Sequence, residues 1–574
     1  MPQWDAGELI DAPVVTWRNM VGMIGPGLVM GAAAIGGGEW LAGPAVTAKY
    51  GGSLLWVASL SIIFQVLYNI EISRYTLYTG EPIFTGKFRI QPGPWFWLVA
   101  YFLFDWGSLV PYLAVNAAPP LEALLLGRSI KPDDLAWDWW FHKIVCTTIY
   151  SLTVVPLIFG GKVYNSLKVV MSGKLILVCG FLLFLGIFYS KPESWGEIVS
   201  GFFKVGNVPV KRAEDTNGNG RLDPGETDFD GDKRADVIEK TLEKDAKGNV
   251  TKFDDVDGDK KQDGDNVDNA IVLATHGEWP NIDLTLIAMI AGLAAIAGNG
   301  GLTNTPISNF TRDQGWGMGH HVGAIPSVVG GQGITLSHVG CVFDVNEESL
   351  SRWRRWYRHI VRDQAGVWML ACFVGVALPS ILSVEFLPRG TNAKGWEIGT
   401  KTAEGVQEHI NHPPDGTLIK AIGLDNVIGG EGVGKFFRGC TLFCGFLVLI
   451  TSSASTMDGF IRRWVDVVWT ASPRLRKLDT SFIRILYFRM LLAYTAVGIA
   501  IIWSPVDPKQ IFEYATCGYN IAFALSAWHT IVINTTLLPP KIRPGWLIRV
   551  GLGLAGCYFM FLGVMSALRQ FRLI

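Results

Sequence analysis

Eleven stretches of the chain are apolar over a length that suits a membrane crossing: about 20–48, 53–78, 95–118, 142–160, 166–190, 284–308, 364–386, 436–457, 481–503, 509–535 and 545–568. A helix needs ~20 predominantly apolar residues to cross the hydrocarbon, and each stretch is near or above that length. The pattern predicts an all-α, multi-pass membrane protein. Glycines interrupt the apolar run twice, at corresponding places. Segment 1 reads Gly25-Pro26-Gly27 and then Gly36-Gly37-Gly38-Glu39-Trp40, and segment 6 reads Gly298-Asn299-Gly300-Gly301. Unpaired backbone is tolerated at membrane depth only where it is buried in protein or lines a cavity. Segments 1–5 and 6–10 form two halves, and an odd number of spans per half inserts them in opposite senses. Paired breaks in two inverted halves point to a midplane binding site of a secondary transporter. The chain then divides into a first repeat (1–190), an insertion (191–283), a second repeat (284–535), and segment 11 with the C-terminus (536–574).

Charge sets the expected orientation. The loops expected inside are 79–94, 161–168, 309–363, 458–480 and 536–544. They carry Lys87 and Arg89, Lys162 and Lys168, Arg352 to Arg362, Arg462 to Lys477, and Lys541 and Arg543. The long loops 191–283 and 387–435 have no such basic cluster. Cytoplasmic loops collect Lys and Arg, so the N-terminus is expected inside and the C-terminus and insertion outside. Trp95, Trp97, Trp139, Trp140, Trp353 and Trp356 near segment ends fit interfacial belts. Composition agrees: 49% of the 574 residues are hydrophobic, 66 are Gly, and the mean hydropathy is +0.29. The net charge of −1 favours no polyanionic partner, and no nucleic-acid motif is present. No nucleophile elbow, phosphate loop or zinc triad points to an enzyme. Most of the eight Cys fall in apolar segments and read as small packing residues. Disulfide-free outer loops and the character of the insertion suggest a prokaryotic inner membrane.

The insertion has its own chemistry. Residues 214–268 hold 18 Asp and Glu against 9 Lys and Arg. Asp215, Asn217, Asn219, Arg221, Asp223 and Glu226 fall at positions 1, 3, 5, 7, 9 and 12 of a loop with Gly220 at position 6. Those are EF-hand spacings, in which position 7 gives its carbonyl and Glu closes the site. A second register runs through Asp228, Asp230, Asp232, Asp236 and Glu239, and a looser third through Asp255, Asp257, Asp259 and Asp263. No flanking helices are evident, so structural Ca²⁺ ordering an outer loop is one reading and a solvated acidic loop the other.

The stretch Gly25-Pro26-Gly27-Leu28, Gly36-Gly37-Gly38-Glu39-Trp40, Tyr50-Gly51 and Leu54-Leu55-Trp56 resembles segment 1 of the Nramp divalent-metal transporters. Arg74 and Thr79-Gly80, Phe104-Asp105, Ser452-Ser453 and Asn520-Ile-Ala-Phe-Ala524 continue the resemblance across segments 2, 3, 8 and 10. It implies a LeuT-type fold, a 5+5 inverted repeat plus an eleventh helix, with a divalent metal as cargo and the lipid bilayer as surroundings. It also implies a metal path through Gly36, Glu39, Ala297, Asn299, Thr303, Asn304 and Asn520, and proton or ion coupling through Asp105, Glu71 and Arg74. The metal motifs depart from the family. Its Asp-Pro-Gly-Asn is Gly36-Gly37-Gly38-Glu39 here, its Met-Pro-His is Ala297-Gly298-Asn299, and a later His is Asn304. Oxygen ligands alone favour Mg²⁺, Ca²⁺ or Mn²⁺ over softer metals. Ser108 stands at the family's second acidic position in segment 3.

The residues alone leave alternatives. Glu39 is a cation ligand, or it caps broken backbone or pairs with a basic group. Asp105 sits where a charge costs about 2.5–3.5 kcal/mol on insertion scales, so it relays protons or answers a polar partner. Glu71 and Arg74, three residues apart, are expected to pair. His529 reads as a packing histidine, Asp458 as an interfacial partner of Arg462, and His320-His321 as loop residues. The rival functions are a membrane cation sensor of the same fold and a transporter of a cationic organic solute.

Overall fold

The computed structural model describes residues 1–14, 25–128, 136–159, 163–210, 243–244, 250–252, 267–275, 277, 279–280, 282–284, 287–327, 329, 333–391, 397–424, 429–505 and 508–570. The calcium loops from Asp215 to Asp263 lie outside the described residues. Among the described residues, eight helices are long and apolar enough to cross a membrane: Trp56–Thr79, Pro94–Leu126, Ala136–Ile158, Tyr164–Tyr189, Glu347–Phe386, Glu431–Ala471, Thr480–Ile502 and Trp546–Gln570. They correspond to segments 2–5, 7–9 and 11. Segments 1 and 6 are the broken ones. Segment 10, Pro508–Thr536, is continuous but carries Asn520, His529 and Asn534 inside its run.

Segment 1 is a helix Pro26–Ala34, a break at Ile35–Gly37, a π-helical turn Gly38–Ala42 and a second helix Gly43–Tyr50. Segment 6 is a helix Ile287–Ile296, a break, a 3-10 turn Gly301–Asn304 and a helix Pro306–Asp313. Gly298 and Gly300 adopt φ of 110° and 57°, a region that favours glycine. Segment 3 also changes character, from helix Pro94–Phe104 through a 3-10 turn Asp105–Leu109 to helix Tyr112–Leu126.

The insertion leaves and re-enters through a short antiparallel pair, Asn207–Pro209 against Val267–Asn269. This neck sits at the far end of segment 1, where Trp56 Nε1 donates to Asn207 O at 2.8 Å and Tyr50 Oη to Asp283 at 2.9 Å. The N-terminal arm is at the opposite end of the bundle. Its Asp5–Ala6 pairs in parallel with Cys341–Val342, and Trp4 donates to Glu81 beyond the end of segment 2. Segment 11 runs from beside Arg74, which bonds Ile542 O, to beside Val57, whose carbonyl accepts from Tyr558. Segment 11 therefore runs from the side of the N-terminal arm towards that of the insertion neck.

Two of the loops expected inside, 309–363 and 458–480, are partly helical. Segment 7 begins at Glu347, passes through a π-helical turn Arg362–Trp368 and ends at Phe386. Segment 8 is a single helix Glu431–Ala471, so Asp458, Arg462 and Arg463 are inside it and not in a loop. All three are fully buried. Arg462 contacts Asp458 at 3.0 Å and also pairs with Asp313, while Arg312 reaches Asp313 at 2.8 Å and Asp466 at 2.7 Å. Two arginines and three aspartates thus answer one another between the second half of segment 6 and segment 8. A charge that finds its partner in the protein needs no water, and counting basic residues misses this. Trp353 and Trp356 are buried as well, packing under Arg74 and donating to Ile10 O. Trp95 and Trp140 are exposed as belt residues would be.

Replacing Arg462 with Met leaves Asp458 buried without a guanidinium and Asp313 with Arg312 alone. The expected loss is about 3–5 kcal/mol. Arg389→Met at the partly exposed Arg389–Glu197 pair is expected to cost under about 1 kcal/mol. Thermal unfolding of the two variants in detergent checks the contrast.

Candidate functional site

The two breaks meet, and Glu39 joins them. Its carboxylate accepts from the Gly36 N–H at 3.0 Å within its own break and from the Gly298 N–H at 3.0 Å across in segment 6. The side chain is fully buried. A broken helix leaves N–H groups without partners, and a buried N–H without an acceptor carries a large desolvation penalty. Glu39 satisfies one such donor on each side. Gln65 of segment 2 does the same for the rest of segment 6. Its Oε1 accepts from Asn299 N at 3.0 Å, Gly300 N at 3.2 Å and Asn304 Nδ2 at 2.8 Å, while its Nε2 donates to Ala297 O at 2.8 Å. Ser61 Oγ donates to Ala294 O at 2.5 Å.

The carbonyls are equally engaged. Ser452 of segment 8 donates towards Ala33 O at 3.0 Å, and Lys174 Nζ of segment 5 donates to Ile35 O at 2.7 Å. Asn299 Nδ2 donates to Met30 O at 3.0 Å, and Thr303 Oγ1 to Asn299 O. At the opposite end of the first half-helix, Asp363 from the π-helical turn of segment 7 accepts from Gly25 N at 3.0 Å and Gly27 N at 2.7 Å. A carboxylate at a helix N-terminus caps it and meets its dipole favourably. Both ends of the half-helix Pro26–Ala34 are therefore held by groups from other segments.

Beside this junction lies a cavity of about 30 Å³. That is room for a water or a small ion, since a water needs about 10–15 Å³ by this measure. Gly36 and Gly37 of segment 1, Gly298, Asn299 and Thr303 of segment 6, Tyr112 of segment 3, Ser452, Ser455 and Thr456 of segment 8 and Tyr519 of segment 10 are on its wall. The lining mixes hydroxyl, amide, aromatic and backbone groups with the apolar side chains of Met30, Ala33, Ala34 and Leu113, and it contains no carboxylate. Among the described residues, no group of three or more His, Cys, Asp or Glu is placed to hold a metal.

Of the residues singled out in the sequence, Gly36, Asn299 and Thr303 are on the cavity wall. Glu39, Ala297 and Asn304 are in the hydrogen-bonded layer behind it. Asn520 is further back, donating to Ala291 O at 3.0 Å. Asp105 is buried and takes Arg463 at 2.7 Å and Trp464 at 2.9 Å, and Arg463 also donates to Leu302 O at 3.0 Å. Segment 3 is thereby tied to the 3-10 turn of segment 6 through one guanidinium. Glu71 and Arg74 pair at 2.9 Å, with Asn534 donating to Glu71 at 3.0 Å. They hold segment 2 to segments 10 and 11, away from the cavity. His529 bonds Tyr101 at 2.7 Å and stacks on Trp97.

Sequence reading missed Gln65 and Lys174. Lys174 is a charge in an apolar segment, and the signal that drew attention to Asp105 applied to it; Gln65 is a neutral amide between Ser61 and Asn69 and carries no such signal. It also missed Tyr112 and Tyr519, because an aromatic in a membrane helix carries no such signal.

No protein-family model matches the sequence, and no curated protein matches it. Solved structures do. One is a manganese transporter of Eremococcus coleocola bound to an aromatic bis-isothiourea compound, with TM-score 0.53 at 11% identity over 98% of this chain and 89% of that one. A point mutant of the same transporter gives TM-score 0.54 at 11% identity over 99% and 90%. A third likeness, to the nucleobase-cation-symport-1 family transporter Mhp1, has TM-score 0.43 at 10% identity over 96% and 90%, too low to bear on the fold. This chain has the LeuT-type fold. Its spans and fold make it a multi-pass membrane protein.

Glu39→Ala removes the acceptor of two buried amides and is expected to destabilise the protein by about 1–3 kcal/mol for each. Glu39→Gln keeps one acceptor oxygen and is expected to cost about half as much. A residue that served only to bind cargo would leave the melting temperature unmoved in both variants.

Proposed function

We propose that this chain is a secondary transporter working by alternating access around segments 1 and 6. The cavity carries the reading, because both helix breaks and segments 3, 8 and 10 converge on it. In inverted-repeat transporters that is where cargo sits. The N-terminus is cytoplasmic on this reading, from the Lys and Arg bias of the loops on its side.

The cargo we infer is a small polar solute held by neutral groups, larger than the space of about 30 Å³ beside the junction, so that segments 1 and 6 part to admit it. The nearest carboxylate, Glu39, is turned onto the backbone of both breaks. Lys174 Nζ donates to Ser452 Oγ on the cavity wall at 3.1 Å, so a bare cation there competes with a buried amine for the hydroxyl oxygen. A second reading keeps a divalent cation. It is supported by the manganese transporter that shares the fold, and by the amide and hydroxyl oxygens of Asn299 and Thr303. Mg²⁺ and similar hard ions accept such ligands with part of their water retained.

Proteoliposome uptake separates the readings. The assay compares Mg²⁺, Ca²⁺, Mn²⁺ and Fe²⁺ with a panel of small polar organic solutes, for wild type and Tyr519→Phe. The expected result is uptake of an organic solute, lowered about three- to tenfold by loss of one hydroxyl contact, with no metal flux. Metal flux alone moves the assignment to the second reading. Saturable binding of a cation without flux of anything would make the chain a sensor.

For the insertion we propose structural Ca²⁺ at the loop Asp215 to Glu226. Ca²⁺ is then expected to raise the melting temperature of the full chain, and Glu226→Ala to weaken that rise.

A further inference from the structure

Arg352, Arg354, Arg355, Arg358 and Arg362 crowd the start of segment 7, and the helix sorts them onto two faces. Arg352 and Arg355 meet the N-terminal arm, where Glu8 and Asp11 answer them. Arg354, Arg358 and Arg362 are exposed. They recur every four residues, so they lie one above the other on a shared face. Among the described residues, none of these three has a carboxylate partner. Arg358 donates from Nε to Arg354 O at 3.4 Å. Glu347, near the start of the helix, is engaged by Lys541 at 3.8 Å. The same face continues through Gly366 and Leu370, both exposed, Leu370 by 60%. These two belong to the apolar run of segment 7, so what they face is lipid hydrocarbon. A Cβ at Gly366 would meet no atom within 4 Å, which leaves the strip open there.

Successive guanidiniums on this face are about 6 Å apart along the helix axis. Three like charges so close favour an anion, and the arginine fork matches a phosphate with two parallel hydrogen bonds. The chain's own acids are elsewhere. Those of the arm are on Arg352 and Arg355, and the acidic insertion hangs from its neck at the opposite end of the bundle. The anion therefore comes from outside the chain, and continuity with the hydrocarbon-facing strip selects its kind. A molecule with a phosphate beside Arg362 and a tail along Gly366 and Leu370 is a phospholipid. A zwitterionic headgroup brings a cation of its own to the stripe, and an anionic one does not. We propose that Arg354, Arg358 and Arg362 form a binding site for the headgroup of an anionic phospholipid, with an acyl chain along Gly366 and Leu370. Basic clusters just outside a membrane helix attract anionic lipid in this way. Arg362 opens the π-helical turn, and the next residue, Asp363, caps Gly25 and Gly27. The bound phosphate is then one residue from the group that holds the first half-helix. The proposal depends neither on the cargo nor on the direction of insertion.

The test is native mass spectrometry of the purified full chain in detergent, titrated with phosphatidylglycerol or with phosphatidylcholine. Wild type is expected to hold phosphatidylglycerol about tenfold more tightly, or better. A basic residue near an anionic lipid surface contributes about fivefold in affinity. The combined variant R354Q/R358Q/R362Q is therefore expected to lower the preference about tenfold or more. R474Q/R476Q/K477Q removes the same charge from exposed residues between segments 8 and 9 and is expected to keep the preference. A wild type without preference overturns the proposal. So does a preference that survives R354Q/R358Q/R362Q, or an equal loss in both variants. Displacement of the lipid by inorganic phosphate at a similar concentration would assign the face to a soluble anion and overturn the lipid site. The substituted side chains are exposed, so both variants are expected to melt with wild type in phosphatidylcholine. Should R354Q/R358Q/R362Q fail to fold, R358Q alone is held to the same outcomes, with a loss of about fivefold.

Discussion

One carboxylate holds the centre of this molecule together. Two helices stop at mid-depth, and each stop exposes backbone donors that lipid cannot satisfy. Glu39 answers one donor in each helix, so neither break is complete without the other. Gln65 extends the same solution to the next two amides of segment 6. Everything else at the junction follows from this coupling. Gly36 and Gly298 let the backbone pass close to Ser452 and Gln65, Asp363 fixes the far end of the half-helix, and the small cavity lies beside the bonded junction.

The fold was legible in the sequence because its signals are collective. Eleven apolar runs, an odd number per half and a glycine break in each half are patterns that no single residue can spoil. The broken segments were found for the same reason that they are broken. The site was less legible because its logic is pairwise. Glu39 attracted attention as a charge in an apolar run, but sequence alone could not say whether it faces a cargo or a backbone amide. Asp105 likewise could not disclose Arg463 as its partner across 358 positions. Lys174 was visible as an isolated charge, while Gln65 was one of several polar residues in segment 2. Their importance depends on which carbonyls and amides the tertiary fold brings to them.

The loop assignments failed in one direction. Segments 7 and 8 both run on as helix past the last apolar residue, because their charged ends are answered inside the protein. In segment 8 the guanidinium of Arg462 has two aspartates and a tyrosine network around it, since Tyr487 donates to Asp458 at 2.6 Å. In segment 7 the amphipathic stretch Glu347–Val361 is covered by the N-terminal arm, whose Glu8, Leu9, Ile10 and Asp11 meet Arg352, Arg355 and Trp356. Hydropathy reads water and lipid, and it has no means of registering a third environment made of the chain's own termini and ion pairs.

The two-stranded neck of the insertion has a consequence for how the chain is put together. Pro209 and Val267 are register partners, so the polypeptide departs and returns at one point, on ground already fixed by Trp56, Tyr50 and Asp283. The entropy of closing a loop rises only slowly with its length. What hangs from such a point hardly matters to the helices beneath it. The neck behaves as a socket: the helices beneath it need only its two strands held together, and a rigid folded domain with neighbouring termini would seat there as readily.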